Sequence, residues 1–157
     1  MFNFDKKCNK IIIMKTNRSN CPLVSALDIL GDKWTLVVVR DIFNGKKTFG
    51  EFLESPEKIS TSVLTDRLQL LEGAGIAKHI LSIIDKKVKL YYLTDRGIDL
   101  FPMLFEMVMW SKRILDKKFH PHAMDWFERN KSLSPEQAIF ENKKNYKQKR
   151  EEILELQ

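Results

Sequence analysis

The chain has 157 residues, 43% of them hydrophobic and 31% charged, with a formal net charge of +6 at pH 7, a composition typical of one globular domain with short additions. Its longest apolar run is far shorter than the roughly 18 residues needed to span a bilayer, and two cysteines, Cys8 and Cys21, are too few for a disulfide scaffold. These features exclude an integral membrane protein and a disulfide-rich secreted protein, and we expect a cytoplasmic location.

Positive charge is concentrated at the two ends of the chain. Residues 1–20 contain five Lys/Arg and one acidic residue, whereas residues 21–110 contain eleven Lys/Arg and twelve acidic residues. Net charge alone therefore does not identify the middle of the chain as a nucleic-acid-binding domain. Local basic clusters must carry that argument, and the two candidates are Lys46-Lys47 and the group Lys86, Lys87 and Lys89.

Three short helices are predicted in the first part of the domain. The first begins at Pro22, a residue favoured at the first helical position, and ends at Gly31. The second is opened by Asp32, and the third is capped by Thr48 and closed by Pro56. Apolar residues recur at three- and four-residue spacing in these segments, which predicts that one face of each helix packs into a core.

The fourth predicted helix, about residues 61–72, combines an apolar stripe with an outer face of small polar groups. Leu64, Leu68 and Leu71 form the stripe that faces the core. A recognition helix needs a slim polar face, because it must enter a major groove about 12 Å wide and reach base edges or phosphates. A solvated face without a partner is the alternative. The candidate DNA-binding residues on this face are Thr61, Ser62, Thr65, Asp66 and Gln69.

Arg67 lies at the boundary of this polar face and allows two interpretations. Its guanidinium group either reaches a DNA phosphate or holds the helix in place through a carboxylate of the same chain. The neighbouring Asp66 is able to accept a hydrogen bond from a cytosine amino group. We include both residues among the candidate DNA contacts.

Two β-rich runs follow the fourth helix and predict a hairpin with a basic tip. The tip region, about residues 81–89, carries Lys86, Lys87 and Lys89, and His79 is expected on the hairpin surface. Three helices, a polar-faced helix and a basic hairpin, in that order, predict a winged helix-turn-helix. The fold class is then α+β, mainly α, with a two-stranded wing whose lysines neutralise phosphates or only aid solubility.

A long helix is predicted from Asp95 onward, with Thr94 as its cap. Pro102 lies about two turns into it, so we expect a kink or a break there. The aromatic side chains of this helix favour a dimer interface over a ligand pocket, because interfaces are enriched in such residues. They are Phe101, Phe105 and Trp110.

The last segment, residues 119–157, is highly charged. His120-Pro121-His122 lies in a predicted connector, and two histidines separated by a proline do not form a metal site. Ser134, with a glutamine three residues later, predicts the start of a final helix. Its apolar residues repeat at seven-residue spacing over too short a length to predict a coiled coil. They are Ile139, Tyr146 and Ile153.

Four stretches of the chain together carry a family pattern: CPLVSALDILGDKWTLVVVRDI, FGEFLE, ISTSVLTDRLQLLEGAGI and YYLTDRG. They resemble the HxlR-type winged-helix transcriptional regulators of bacteria, and the resemblance covers roughly residues 20–113. It implies double-stranded DNA as a partner, a homodimer built from terminal helices, and a pseudo-palindromic operator. The long leader and the residues after 118 depart from the usual compact form.

Cys21 matches the cysteine that some members of this family use to sense oxidants or electrophiles. It stands at a predicted helix start, where the helix dipole favours the thiolate. We therefore name Cys21 as a redox-sensing candidate, with a small packing residue as the alternative. Cys8, in the leader, is a weaker candidate for resolving an oxidised Cys21.

The predicted function is a sequence-specific, homodimeric DNA-binding regulator, and the alternative is a winged-helix protein–protein interaction module that uses its C-terminal helix. No phosphate loop, serine elbow or paired-carboxylate motif is found in the sequence, so we expect no enzymatic activity, no cofactor and no metal. The predicted organisation is a basic leader (1–20), a winged helix-turn-helix domain (21–94), a dimerisation helix (95–118) and a charged helical extension (119–157).

Overall fold

The computed structural model describes residues 19–155, so Cys8 and nearly all of the basic leader lie outside the described residues. The winged helix-turn-helix fold is confirmed. Between residues 19 and 155, no helix is both long enough and apolar enough to cross a membrane. The elements in chain order are α1 (Pro22–Leu30), α2 (Thr35–Phe43), α3 (Phe49–Leu53), α4 (Thr61–Gly73), β1 (Ala77–Leu81), β2 (Lys89–Leu93), α5 (Asp95–Ile98), α6 (Phe101–Ile114), α7 (Pro121–Asn130) and α8 (Pro135–Leu154).

Side-chain caps begin several helices where the sequence predicted them. The Thr48 side chain accepts a hydrogen bond from the Glu51 N–H at the start of α3, and the Glu51 carboxylate accepts one from the Thr48 N–H. Thr94 caps α5, and Ser134 and Gln137 form the same reciprocal box at the start of α8. Each cap satisfies N–H groups that have no partner within the helix, which fixes where the helix begins.

The three leucines of α4 form the centre of the core. Leu64 and Leu71 are fully buried and Leu68 is 2% exposed. They pack in one cluster with apolar residues of α2, α3, β2 and α5. Because each fully buried leucine contributes about 1.5–3 kcal/mol, this stripe fixes the rotation of α4 about its axis. The partners in this cluster include Val39, Ile42, Phe52, Leu93 and Ile98.

The wing is a two-stranded antiparallel sheet. Its register runs from Ala77 opposite Leu93 to Leu81 opposite Lys89. Along the outer side of β2, the Tyr91 N–H donates to the Lys47 carbonyl at 2.7 Å. The loop before α3 therefore covers part of an edge that would otherwise expose unpaired backbone groups.

The predicted break near Pro102 is confirmed, because α5 ends at Ile98 and α6 begins at Phe101. The expectation for the aromatic residues of this region was wrong for two of the three. Phe101 and Phe105 are 9% and 5% exposed, so they are covered within the chain. Trp110 is half exposed and stays available for a partner. Sequence spacing could not distinguish a core-facing stripe from an interface stripe on the same helix.

The predicted connector after residue 119 is also wrong, since residues 121–130 form the ten-residue helix α7. His120 caps it by accepting the His122 N–H on Nδ1 at 3.2 Å, and Pro121 occupies the first turn. The centroids of the Trp126 ring and the Phe105 ring of α6 lie 5.8 Å apart in an edge-to-face contact. Tertiary packing against α6 therefore stabilises a helix whose local signal is weak.

Helix α8 folds back onto the winged domain. Tyr146 and Ile153, two of the residues at seven-residue spacing, are buried against the domain itself. The centroid of the Tyr146 ring lies 4.9 Å from that of the Phe43 ring at the end of α2. Tyr146 and Ile153 are thus covered within the chain.

Candidate nucleic-acid interface

The outer face of α4 is accessible along its length. Five of its six candidate DNA contacts are exposed and the sixth, Arg67, is half-buried, whereas the leucines on the opposite face are buried. Ser60 caps the helix by accepting the Val63 N–H at 3.4 Å. The preceding Lys58 has a positive φ of 55°, a conformation that turns the chain sharply before the helix. The exposed candidates are Thr61, Ser62, Thr65, Asp66 and Gln69.

These side chains offer different hydrogen-bonding chemistry. The Thr65 hydroxyl donates to the Thr61 carbonyl at 2.8 Å, so its oxygen can still accept a hydrogen bond, and the residue is exposed. Asp66 offers acceptors only, and the Gln69 amide offers both a donor and an acceptor. A glutamine amide fits the paired donor and acceptor of adenine, and a threonine methyl group fits the thymine methyl.

Arg67 is held by a carboxylate at the start of α2. Its Nη1 atom lies 2.9 Å from Asp32 Oδ2, and about a quarter of its side chain is exposed. Asp32 also accepts hydrogen bonds from the N–H groups of Trp34 at 2.8 Å and Thr35 at 3.0 Å. The same carboxylate therefore caps α2 and anchors α4 to it. This arrangement agrees with the interpretation in which Arg67 holds its helix in place through a carboxylate of the same chain.

The environment of Asp32 lowers its pKa. Burial pushes the pKa upward, but the hydrogen bonds from Thr35, Trp34 and Arg67 outweigh burial and stabilise the charged form. Because the folded-state pKa is depressed, this carboxylate stabilises the fold above its unfolded-state pKa. That contribution is lost as the pH falls through the folded value.

We expect Asp32→Ala to lower the free energy of unfolding by about 1 kcal/mol, since it removes a helix cap and a partly exposed ion pair. Urea unfolding at neutral pH measures the change, and the difference from wild type should shrink at acidic pH. Asp116→Ala, which removes an exposed carboxylate, is the control and should change stability little. Equal destabilisation by the two substitutions would contradict the proposed cap.

The wing presents its basic residues to solvent. Lys86, Lys87 and Lys89 are all exposed, and the tip is closed by the Lys87 N–H donating to Asp85 Oδ1 at 2.9 Å. Sequence reasoning missed Ile84, which is 89% exposed at this tip.

The second basic cluster is less available. Lys46 Nζ lies 2.6 Å from Ser55 Oγ and 3.3 Å from Asp41 Oδ2, and it is half-buried. Lys47 is also half-buried, and its carbonyl accepts the bond from β2 described above. These interactions favour a structural role for the pair.

His79 lies deeper than a surface position on the wing. Its Nδ1 atom is hydrogen-bonded to Glu72 of α4, and its ring centroid lies 5.5 Å from that of Tyr91. The side chain is 28% exposed. The expected surface histidine is therefore half-buried, because β1 packs closely beside the C-terminal end of α4.

Cys21 is exposed and directly precedes α1. Its carbonyl accepts the Ser25 N–H at 3.0 Å, and its own N–H donates to Ser19 Oγ at 3.1 Å. The backbone of this residue is thus fixed at the helix start, and its thiol is open to solvent. Among the residues that the structure describes, no cluster of His, Cys, Asp and Glu could hold a metal ion.

Comparison with known proteins identifies the family. A family model described as HxlR-like helix-turn-helix matches residues 29–119. The chain is 34% identical over 98 residues to YdeP of Bacillus subtilis, an uncharacterized HTH-type transcriptional regulator, and the alignment covers 62% of this chain and 76% of YdeP.

Solved structures agree with this match. The structure of PA1607 superposes with a TM-score of 0.60 at 31% identity and covers 66% of this chain and 74% of PA1607. The redox regulator HypR in its oxidized form gives a TM-score of 0.56 at 32% identity and covers 62% of this chain and 100% of HypR. Since the family match spans more than half of the residues, the chain belongs to the HxlR-like helix-turn-helix family.

Proposed function

We propose that the protein is a sequence-specific transcriptional regulator that inserts α4 into the major groove of double-stranded DNA. The observation that carries this proposal is the outer face of α4, where small hydrogen-bonding side chains are exposed above a fully buried leucine stripe. A helix held this firmly can present its polar groups to base edges at little further cost in conformational entropy.

The wing supplies affinity without sequence information. Its candidate phosphate contacts are Lys86, Lys87 and Lys89, which are exposed on the hairpin that follows α4. Each phosphate that a lysine neutralises releases condensed counterions, so binding strengthens at low salt on any DNA sequence. Discrimination between DNA sequences then depends on contacts from α4 to the bases.

The proposed regulator acts as a homodimer. An apolar stripe on α6 repeats at four- and three-residue spacing and is 37–57% exposed, although the opposite side of α6 is buried in the core. A stripe of this kind is self-complementary when two copies pair about a two-fold axis. The exposed Leu23 and Leu27 of α1 extend the apolar surface available to a second copy. The α6 stripe consists of Met103, Met107, Trp110 and Ile114.

A protein–protein interaction module built on the C-terminal helix has less support. Tyr146 and Ile153 of α8 are buried against the winged domain. A partner would have to displace α8 or bind its polar side. The exposed Phe140 is the one large apolar side chain above 60% exposure on α8 within residues 135–154, and a single exposed residue is common on protein surfaces.

Selection from a pool of random double-stranded DNA tests the function. We expect enrichment of a pseudo-palindromic site whose half-sites lie about 34–36 Å apart, one helical turn of DNA. A pool that remains random after repeated selection would contradict sequence-specific binding. Enrichment of a single half-site would support DNA recognition and contradict the proposed homodimer.

We further propose that Cys21 makes DNA binding sensitive to electrophiles. The thiol is exposed at the start of α1, and the similar protein HypR is a redox regulator. Addition of a quinone to this thiol, or its oxidation, places bulk beside a helix proposed to join the dimer. A small rotation between subunits would change the distance between the two recognition helices, which must match the half-site spacing.

We expect treatment with a quinone, which adds to a single thiol, to weaken operator binding by wild type and by Cys8→Ser, and to leave Cys21→Ser unaffected. DNA-binding titrations before and after treatment, with mass spectrometry to locate the adduct, measure this response. Adduct formation at Cys21 without weaker binding would contradict the sensor role.

A further inference from the structure

Helix α8 runs along the outer side of β2, the strand that leads out of the wing. The Tyr146 hydroxyl accepts a hydrogen bond from the Leu93 N–H at 2.8 Å. Arg150 Nη1 lies 3.4 Å from the carbonyl oxygen of the same Leu93. Both backbone polar groups of the last residue of β2 therefore bind side chains of α8, and the pairing continues the edge that Lys47 begins.

The end of α8 also covers one face of the wing. Ile80 of β1 and Leu90 of β2 are directly opposite each other in the sheet. They form a separate buried cluster with Ile153 of α8, with Val88 packed against it. Without α8, this small apolar face would be open to solvent, because the main core cluster does not include it.

Ion pairs fasten the same helix to the segment after the wing. Arg150 Nη1 lies 2.8 Å from Asp95 Oδ1, and Lys143 Nζ lies 2.7 Å from Asp99 Oδ1. Asp95 is the first residue of the short helix α5 and Asp99 is the residue after its end, and α5 follows β2 closely. The hydrogen bonds, the apolar cluster and the ion pairs thus join α8 to both strands of the wing and to its exit.

We propose that α8 is a brace that sets the position of the wing relative to α4, with Tyr146, Arg150 and Ile153 as positioning residues for the wing lysines. This inference rests on the proposed DNA-binding function. Helix α8 lies outside the residues 29–119 that match the family model, so the brace is not part of the matched domain.

The brace acts through the backbone and leaves the DNA-contacting side chains untouched. Lys86 and Lys87 lie at the far end of the hairpin from Leu93. A small change in the angle of the sheet at Leu93 is therefore enlarged at the tip. Removal of the brace should reduce phosphate binding by the wing and leave base recognition by α4 unchanged.

A double-mutant cycle tests this coupling. Tyr146→Phe removes only the hydroxyl and retains the ring packed against Phe43. We expect it to weaken operator binding about 2- to 10-fold in the wild-type background, the range of one hydrogen bond. In a Lys86→Ala/Lys87→Ala background the same change should have a much smaller effect, since two of the three lysines that the brace positions are gone.

Ile153→Ala provides a second perturbation of the brace, and Phe140→Ala is its matched control on the exposed side of α8. We expect Ile153→Ala to flatten the salt dependence of DNA binding as the lysine substitutions do, and Phe140→Ala to leave it unchanged. An equal effect of Tyr146→Phe in both backgrounds, or a salt dependence unchanged by Ile153→Ala, would overturn the brace.

Hydrogen exchange in the free protein separates this inference from the proposed function. With Tyr146→Phe, the Leu93 amide and the amides of β1 and β2 should exchange faster, while those of α4 stay protected. If wild type bound no DNA at all, the proposed function would fail, and exchange alone would decide the brace. If the Leu93 amide of Tyr146→Phe exchanged at the wild-type rate, the brace would be refuted.

Discussion

Alanine at Thr65 or Gln69 should lower the affinity for the selected operator by about 1–3 kcal/mol for each hydrogen bond or methyl contact to a base that the substitution abolishes. Affinity for unrelated DNA should hardly change, because these exposed side chains lie on the face of α4 proposed to read bases and carry no charge. Both residues lie opposite the buried leucines, so the substitutions should leave stability within about 0.5 kcal/mol. Titrations with operator and with a scrambled duplex measure the two affinities.

Substitution of the wing lysines supplies the contrast. Lys86→Ala/Lys87→Ala should weaken binding to both duplexes alike and reduce the log–log salt slope by roughly 0.9 for each phosphate that is no longer neutralised. Lys117→Ala/Lys118→Ala removes the same charge from an exposed pair after α6 and serves as the control. Wild-type discrimination by the Thr65 and Gln69 variants would mean that another surface reads the DNA.

The double substitution Met107→Asp/Trp110→Asp should convert a dimer into a folded monomer. Both side chains are 50% exposed, so a monomer tolerates the charges, whereas a paired interface would have to bury them without partners. A monomer cannot bind two half-sites at once, which should cost about 10²- to 10⁴-fold in operator affinity. Sedimentation at micromolar concentration measures the assembly, and a titration measures the affinity.

Phe140→Asp is the control for this experiment, because it places the same kind of charge on an exposed apolar residue of α8 outside the stripe. We expect it to sediment as wild type does. A wild-type protein that sediments as a monomer at these concentrations would leave the α6 stripe without an occupant. It would also contradict a pseudo-palindromic operator.

Local signals predicted most of the winged domain because they act within a few residues. The caps at Thr48, Thr94 and Ser134 supply hydrogen bonds to their own helices. The leucine stripe of α4 likewise depends only on helical spacing. Pro102 separates α5 from α6 because it lacks the N–H that a continuous helix would use.

Such local signals could not predict interactions between segments that are distant in the sequence. The pairing of Arg67 with Asp32 depends on how α4 crosses α2. Helix α7 depends on Trp126 meeting Phe105 of α6, and its sequence alone predicted a connector. The seven-residue spacing in α8 indicated an apolar stripe correctly, but it did not reveal that the stripe would pack on the wing of the same chain.

The same distinction between local patterns and distant contacts applies to the candidate site. The polar face of α4 and the basic tip of the wing follow from local patterns, and the structure places those residues at the surface. The neighbouring basic pair Lys46-Lys47 looked similar in sequence, yet Asp41 and Ser55 engage Lys46. Only the three-dimensional arrangement distinguishes an available lysine from an engaged one.

The most direct test of sequence-specific DNA binding is the affinity of wild type for its selected operator and for a scrambled duplex, measured across a range of salt concentrations. We expect operator affinity to exceed scrambled-duplex affinity by about 10³-fold or more. Both affinities should fall linearly on a log–log plot with a slope of about −0.9 per neutralised phosphate. Equal affinity for the two duplexes at every salt concentration would contradict sequence-specific recognition by α4.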